Sequence, residues 1–231
     1  MVQVIAHRGA SRAELENTVA AFRAAATMGA DAAELDVRRT SDGVLVVHHD
    51  QHLDDGRLIA ATSVSDLPDH VARLGAALDA CAGMWVNVEI KNSPEDADFD
   101  ASDKIADETM AHLMARHEDE RWLVSCFRIE TVDRCRELAP SIRTAWLTTG
   151  VPDGTAELLV ERGHVALHPW VGSLTQPVID ACHRLGLEVN TWTCDDVPRM
   201  EELIGWGIDG ICTNVPDVAV KLIGRRGGGP G

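Results

Sequence analysis

The chain has 231 residues, 45% of them hydrophobic, which suits one sizeable core and falls in the length range of a single-domain α/β barrel. Its 21 Lys and Arg against 37 Asp and Glu give a formal net charge of −16. Such a surface repels nucleic acid and anionic membrane at long range, and an anionic substrate would need a local cation or a metal.

Taken in chain order, "QVIAHRG" over 3–9 reads as a strand, and 17–29 as a helix closed by Gly29. "AAELDVRR" (32–39) is a strand, 67–83 a helix with Pro68 in its first turn, 84–91 a strand and 100–117 a helix. Strand and helix patterns then alternate over 121–127 and 128–139, 142–148 and 154–163, 164–170 and 176–186, 187–193 and 197–207, and 209–214 and 215–224. Eight strand–helix units predict a closed (β/α)8 TIM barrel, one domain over 1–224 with a flexible tail at 225–231. A doubly wound open sheet fits less well, because no G-x-G-x-x-G follows the first strand.

No apolar h-region follows a basic start, and no apolar run is long enough to span a bilayer. The expected location is therefore cytoplasmic, without stable membrane association. The six cysteines have no CxxC spacing and read as reduced core thiols.

Chemistry in a barrel sits at the C-terminal ends of the strands. The polar residues there are His7 and Arg8 on the first strand, Glu34 and Asp36 on the second, Glu89 and Lys91 on the third, and Trp192 on the seventh. Residues two apart on a strand share a face, so Glu34 pairs with Asp36 and Glu89 with Lys91. Charged groups in a barrel mouth must be paired or hold a metal. Arg38 and Arg39, nearer the turn, receive no role.

The run "VVHHDQH" (46–52) puts three histidines within five residues. It follows Asp42-Gly43, a strong hairpin signal, so a β-hairpin insertion is expected after strand two. A two-residue loop sets Ser41 opposite Val44, Asp36 opposite His49 and Glu34 opposite Gln51. Opposed residues share a face, which selects His49 for the site. His48 then points away as a structural histidine, and His52 is exposed. A zinc cluster is disfavoured, because adjacent strand histidines face opposite ways.

The motifs "HRG" (7–9), "ENT" (16–18), "ELD" (34–36), "DGVLVVHHD" (42–50), "VEIK" (88–91), "SCF" (125–127), "NTWT" (190–193) and "DGICTNVPD" (209–217) together resemble the glycerophosphodiester phosphodiesterases. The resemblance implies a TIM barrel with a Ca²⁺ or Mg²⁺ site. It casts Glu34, Asp36 and Glu89 as metal carboxylates, His7 and His49 as the catalytic pair, and Arg8 and Lys91 as phosphate contacts. Two departures stand out: the stretch 51–67 is shorter than in most members, and Asn214 stands where many relatives carry Asp.

The expected reaction is metal-dependent hydrolysis of a small-molecule glycerophosphodiester to an alcohol and glycerol 3-phosphate. One histidine serves as general base and the other as general acid; the reading adopted takes His7 as base and His49 as acid. Trp192 is expected to form an apolar wall at the substrate. Competing readings are a lysophospholipid phosphodiesterase, with Trp170 and Val171 as an apolar lip, and a barrel that binds phosphorylated ligands without turnover. Neither the alcohol moiety nor the oligomeric state is legible in the sequence.

Overall fold

The computed structural model describes residues 1–227. Its elements are β1 (Gln3–Ala6), α1 (Val19–Met28), β2 (Ala32–Arg39), β3 (Leu45–Val47), α2 (Leu74–Ala80), β4 (Trp85–Ile90), α3 (Lys104–Met114) and β5 (Trp122–Cys126). They continue with α4 (Ile129–Leu138), β6 (Arg143–Thr148), α5 (Thr155–Arg162), β7 (Ala166–Pro169), α6 (Gln176–Arg184), β8 (Glu188–Thr191), α7 (Val197–Gly205), β9 (Gly210–Thr213) and α8 (Pro216–Gly227). The last helix thus runs into the stretch expected as a tail, and 228–231 lie outside the described residues.

Eight parallel strands close on themselves: β1 pairs with β9 on one side and β2 on the other, and β4 to β8 complete the ring. Strand β3 is the exception, an antiparallel ribbon on β2. Strand pleat puts alternate residues inside the ring. The register sets Glu34 beside Asn87 and Asp36 beside Glu89, so β2 and β4 carry their polar residues inward at matching heights. Lower in the barrel, small apolar clusters fill the interior: Ile5, Ala32 and Cys212 on one side, Leu123, Ala145 and Ala166 on the other, with Trp85 against both. Gly210 leaves that space open, since a Cβ there would lie 2.3 Å from Asn190 Oδ1. The main core is the shell between strands and helices.

The helix expected at 67–83 is shorter than the sequence pattern, starting only at Leu74, and Pro68 lies outside it. The cause is competition from the ribbon. Val47 N–H bonds Ala72 O at 2.8 Å, and Val46 bridges Arg73, so 72–73 are held extended against β3. All six cysteines are buried and unpaired. Among the described residues no helix is long and apolar enough to cross a membrane.

Candidate active site

The chain leaves β1 through a tight turn that aims two side chains into the barrel mouth. Arg8 takes the left-handed conformation (φ 56°), which costs a non-glycine residue about 1–2 kcal/mol. In return its backbone N–H donates to Glu34 Oε2 at 2.8 Å, and its Nε lies 3.4 Å from Asp36 Oδ2. Gly9 follows at φ 80°, and a Cβ there would come within 2.6 Å of the Ala21 backbone, so only glycine fits.

Glu34, Asp36 and Glu89 are all buried and each presents one oxygen within 4.8 Å of the others. Lys91 Nζ sits between two of them, 2.9 Å from Asp36 Oδ1 and in close contact with Glu89 Oε1. Asn17, from the segment before α1, donates to Asp36 Oδ2 at 2.7 Å. Burial, together with the neighbouring Asp36 and Glu89 charges, pushes the Glu34 carboxyl well above the ordinary range. Burial also raises Glu89, against the pull of Lys91. For Asp36 the balance reverses: burial opposes ionisation, but Lys91 and Arg8 together hold the carboxyl far below its usual value.

Arg8 Nη1 also pairs with Glu16 Oε1 at 2.8 Å, so carboxyl groups outnumber the two cations of the mouth. Glu34 Oε1 is buried with no hydrogen-bond partner. A converging set of hard carboxylate oxygens, one of them orphaned, fits a Ca²⁺ or Mg²⁺ ion. Glu34, Asp36 and Glu89 are the residues that could hold it.

His7 lies on the Glu34 side of this cluster. Its Nδ1 is 2.8 Å from Asn214 Oδ1 and its Nε2 4.0 Å from Glu34 Oε2. Burial, and then the Arg8 charge, lower its pKa, which favours the neutral ring. His49 reaches the opposite side. It lines a cleft of about 470 Å³ together with Glu89, Lys91, Asn92 and Phe127. Its Nδ1 is 2.6 Å from Asp50 Oδ1, while burial and Lys91 lower its pKa.

His49 arrives there by a route different from the expected one. The ribbon register sets Val37 opposite Val47 and Arg38 opposite Val46, one residue off the two-residue-loop pairing. The turn is a three-residue loop, Ser41-Asp42-Gly43, between paired Thr40 and Val44. Thr40 Oγ1 donates to Asp42 Oδ1 at 2.6 Å and accepts from Val44 N at 2.9 Å, and Gly43 takes φ 81°. His48 therefore falls opposite Asp36, bonded through its backbone N–H to Asp36 O at 2.9 Å. Yet β3 ends at Val47, the chain bends, and its next side chain, His49, turns into the cleft. Nδ1 of His48 is tied to Asp50 O at 2.8 Å, outside the cleft lining. His52 is exposed at the cleft edge.

Trp192, just past β8, donates from Nε1 to His168 O at 2.8 Å and meets Phe127 edge-on at 5.4 Å between ring centroids. It lines a small interior cavity with His7, Glu34 and Glu89. Every residue expected at the mouth is thus at the mouth. Sequence reasoning misses Arg38, whose guanidinium braces the His49 carbonyl, Asn17 under Asp36, and Asp195 behind Asn214. Arg38 is accessible to the same two-apart rule, being the next residue after Glu34 and Asp36 on the inward face.

A closed parallel barrel with buried carboxylates, two cations and two histidines at its C-terminal mouth defines a hydrolase-type site for an anionic ester. Comparison with known proteins narrows it. The sequence model of the glycerophosphoryl diester phosphodiesterase family matches residues 7–218. A glycerophosphodiester phosphodiesterase of Caldanaerobacter subterraneus subsp. tengcongensis is 30% identical, over 97% of this chain and 98% of that protein. The crystal structure of a glycerophosphodiester phosphodiesterase from Parabacteroides distasonis superposes with a TM-score of 0.87 at 25% identity, covering 98% of both chains. An Oleispira antarctica phosphodiesterase, solved in complex with its product sn-glycerol-3-phosphate, shares the fold with a TM-score of 0.86 at 24% identity, over 96% of each chain. The chain belongs to the glycerophosphoryl diester phosphodiesterase family and is an enzyme of the phosphoric diester hydrolase class.

Proposed function

We propose that the chain hydrolyses glycerophosphodiesters to an alcohol and glycerol 3-phosphate, with Glu34, Asp36 and Glu89 holding a divalent cation and His7 and His49 exchanging protons with the reacting groups. The observation that carries this is the charge of the mouth. Carboxyl groups outnumber cations there: Glu34, Asp36 and Glu89, with Glu16 paired to Arg8 as well, face only Arg8 and Lys91. A divalent ion held by Glu34, Asp36 and Glu89 would offset this negative charge and let a phosphodiester anion approach. Bound there, the cation would offset charge growing on the phosphoryl oxygens.

The protein's own groups do the rest. Arg8 offers a planar fork to the phosphate and Lys91 a point charge. His7, neutral and beside Glu34, accepts the proton of the attacking hydroxyl, whether that of water or a neighbouring substrate hydroxyl passing through a cyclic phosphate. On the cleft side, His49 delivers a proton to the departing alkoxide. Its contact with the Asp50 carboxylate pulls toward the charged ring this requires, against the burial and the Lys91 charge that lower its pKa. Trp192 and Phe127 supply an apolar wall.

The test is release of choline and glycerol 3-phosphate from sn-glycero-3-phosphocholine, after chelator treatment and again with Ca²⁺ or Mg²⁺ restored. Turnover only with the cation is expected. No turnover with either ion would leave the barrel that binds without hydrolysis. The exposed Trp170 at the mouth, 47% accessible, favours one second reading, a lysophospholipid substrate. Lysophosphatidylcholine as substrate in the same assay separates the two.

A further inference from the structure

We propose that Asn214 and Asp195 fix the tautomer of His7, leaving Nε2 as its proton-accepting atom. They act as positioning residues, one behind the other. Asn214 follows β9, and Asp195 lies between β8 and α7.

The hydrogen bonds leave little freedom. Asp195 accepts from Thr213 Oγ1 at 2.9 Å, from the Asn214 backbone N–H at 2.8 Å and from Asn214 Nδ2 at 2.7 Å. These donors outweigh partial burial and keep its carboxyl below the usual range, so it is an acceptor at any pH near neutrality. A turned-over Asn214 amide would set its oxygen 2.7 Å from a carboxylate oxygen. The amide is therefore held with Nδ2 toward Asp195 and Oδ1 toward His7. That oxygen has two neighbours, His7 Nδ1 at 2.8 Å and Ser11 Oγ at 2.9 Å. An amide oxygen only accepts, so Nδ1 must carry the hydrogen. In the neutral ring, Nε2 is then bare, and it is the nitrogen on the Glu34 side.

When Nε2 takes a proton, the hydrogen on Nδ1 stays where it is. No proton travels toward Asp195. The amide dipole and the Asp195 charge behind it steady the imidazolium. An aspartate at position 214 would do the first task directly, but beside Asp195 it would crowd two carboxylates. The pair Asp195–Asn214 divides the work, charge at the rear and oriented carbonyl at the front.

This inference rests on His7 being the base of the proposed hydrolysis, but the tautomer can be read without turnover. The experiment uses the full chain, metal-free, with ¹⁵N-labelled histidine, and two-bond proton–nitrogen spectra in which His7 is assigned by its loss in His7→Gln. The wild type is expected to hold a hydrogen on Nδ1 and none on Nε2. Asp195→Asn frees the amide to turn, mixes the tautomers, and lowers kcat about 10–100-fold with KM little changed, the usual cost of losing a group that orients a histidine. Asn214→Asp places two carboxylates in contact and is impaired as well. The double variant Asp195→Asn with Asn214→Asp exchanges the charge and the amide, and restores both the spectrum and kcat. A wild-type His7 with its hydrogen on Nε2 would overturn the inference even if every variant misfolded, and so would an Asp195→Asn spectrum identical to the wild type. The expected spectra in a protein that turns over no phosphodiester would keep the tautomer assignment and refute the hydrolysis.

Discussion

Arg38 grips the backbone carbonyl of His49 with two guanidinium nitrogens, Nε at 2.9 Å and Nη2 at 2.7 Å. Its third nitrogen, Nη1, reaches both oxygens of Asp98, at 2.9 and 2.7 Å. One buried side chain on β2 thereby ties the bend carrying His49 to the loop after β4. Arg38→Lys keeps the charge but loses the fork, and we expect kcat to fall about tenfold or more through a displaced His49. Arg38→Ala leaves Asp98 buried without a partner and should lower stability by about 3 kcal/mol or more. Steady-state turnover and denaturant unfolding read the two effects. Unchanged kcat in Arg38→Lys would mean that His49 is placed by the bend alone.

The two histidines of the mouth should separate from the other two in the His48–His52 run. His7→Ala and His49→Ala are expected to lower turnover by roughly 10²–10⁴-fold, the scale of a positioned acid or base. His48→Ala and His52→Ala should stay within about tenfold, because one is tied to Asp50 O and the other stands at the cleft edge. A severe His48→Ala alongside a mild His49→Ala would reverse the assignment.

Crowding of Glu34 with Asp36 and Glu89 has a consequence in the absence of cation. Glu34→Gln removes the cost of burying an acid as well as its repulsion from Asp36 and Glu89, so the metal-free protein should melt higher than wild type. The same substitution removes a ligand and should abolish the shift in Tm that Ca²⁺ or Mg²⁺ gives the wild type. That shift corresponds to about 2.7 kcal/mol at a hundredfold excess over Kd. Thermal melts in chelator and in added cation check both signs, and a Glu34→Gln protein that still gains stability from the cation would remove Glu34 from the ligand set.

Much of the fold and of the mouth is legible in the amino-acid sequence. Alternation of apolar strands with helical patterns yields the barrel, because each parallel strand needs a crossover to the next and the eighth strand closes the ring by pairing with the first. Glu34, Asp36 and Glu89 are readable because strand pleat obliges residues two apart to share a face. Register is where the reading fails. Asp42-Gly43 suggests a two-residue loop, but Thr40 Oγ1 bonds both Asp42 and Val44 and draws Ser41 into a three-residue turn. A side-chain hydrogen bond of that kind leaves no trace in hydrophobic periodicity. His49 does line the cleft, but the pairing with Asp36 that selects it does not exist. Extended residues before α2 are hidden for a related reason, since their partner is the ribbon and not their own neighbours.

Deeper in the barrel, His168 links structure to pH. Its Nε2 is 3.1 Å from Asn190 Nδ2, whose amide donates to it, so the ring is neutral with its hydrogen on Nδ1. Burial, with a lesser push from Arg143, lowers its pKa to about 3. In the unfolded chain a histidine takes up a proton as pH falls below about 6.5. Between those two values the unfolded state therefore holds the extra proton. Stability from this group is full above pH 6.5 and declines as pH falls toward 3, with a slope of up to about 1.4 kcal/mol per pH unit. His168→Gln removes the titration, so the stability gap between variant and wild type should narrow steadily as the solution is acidified from neutral to about pH 4. Urea unfolding of both proteins in chelator, at half-unit steps of pH, measures that gap. Parallel curves across the window would show that His168 takes up its proton without unfolding, and that the barrel interior admits a charge it is built to exclude.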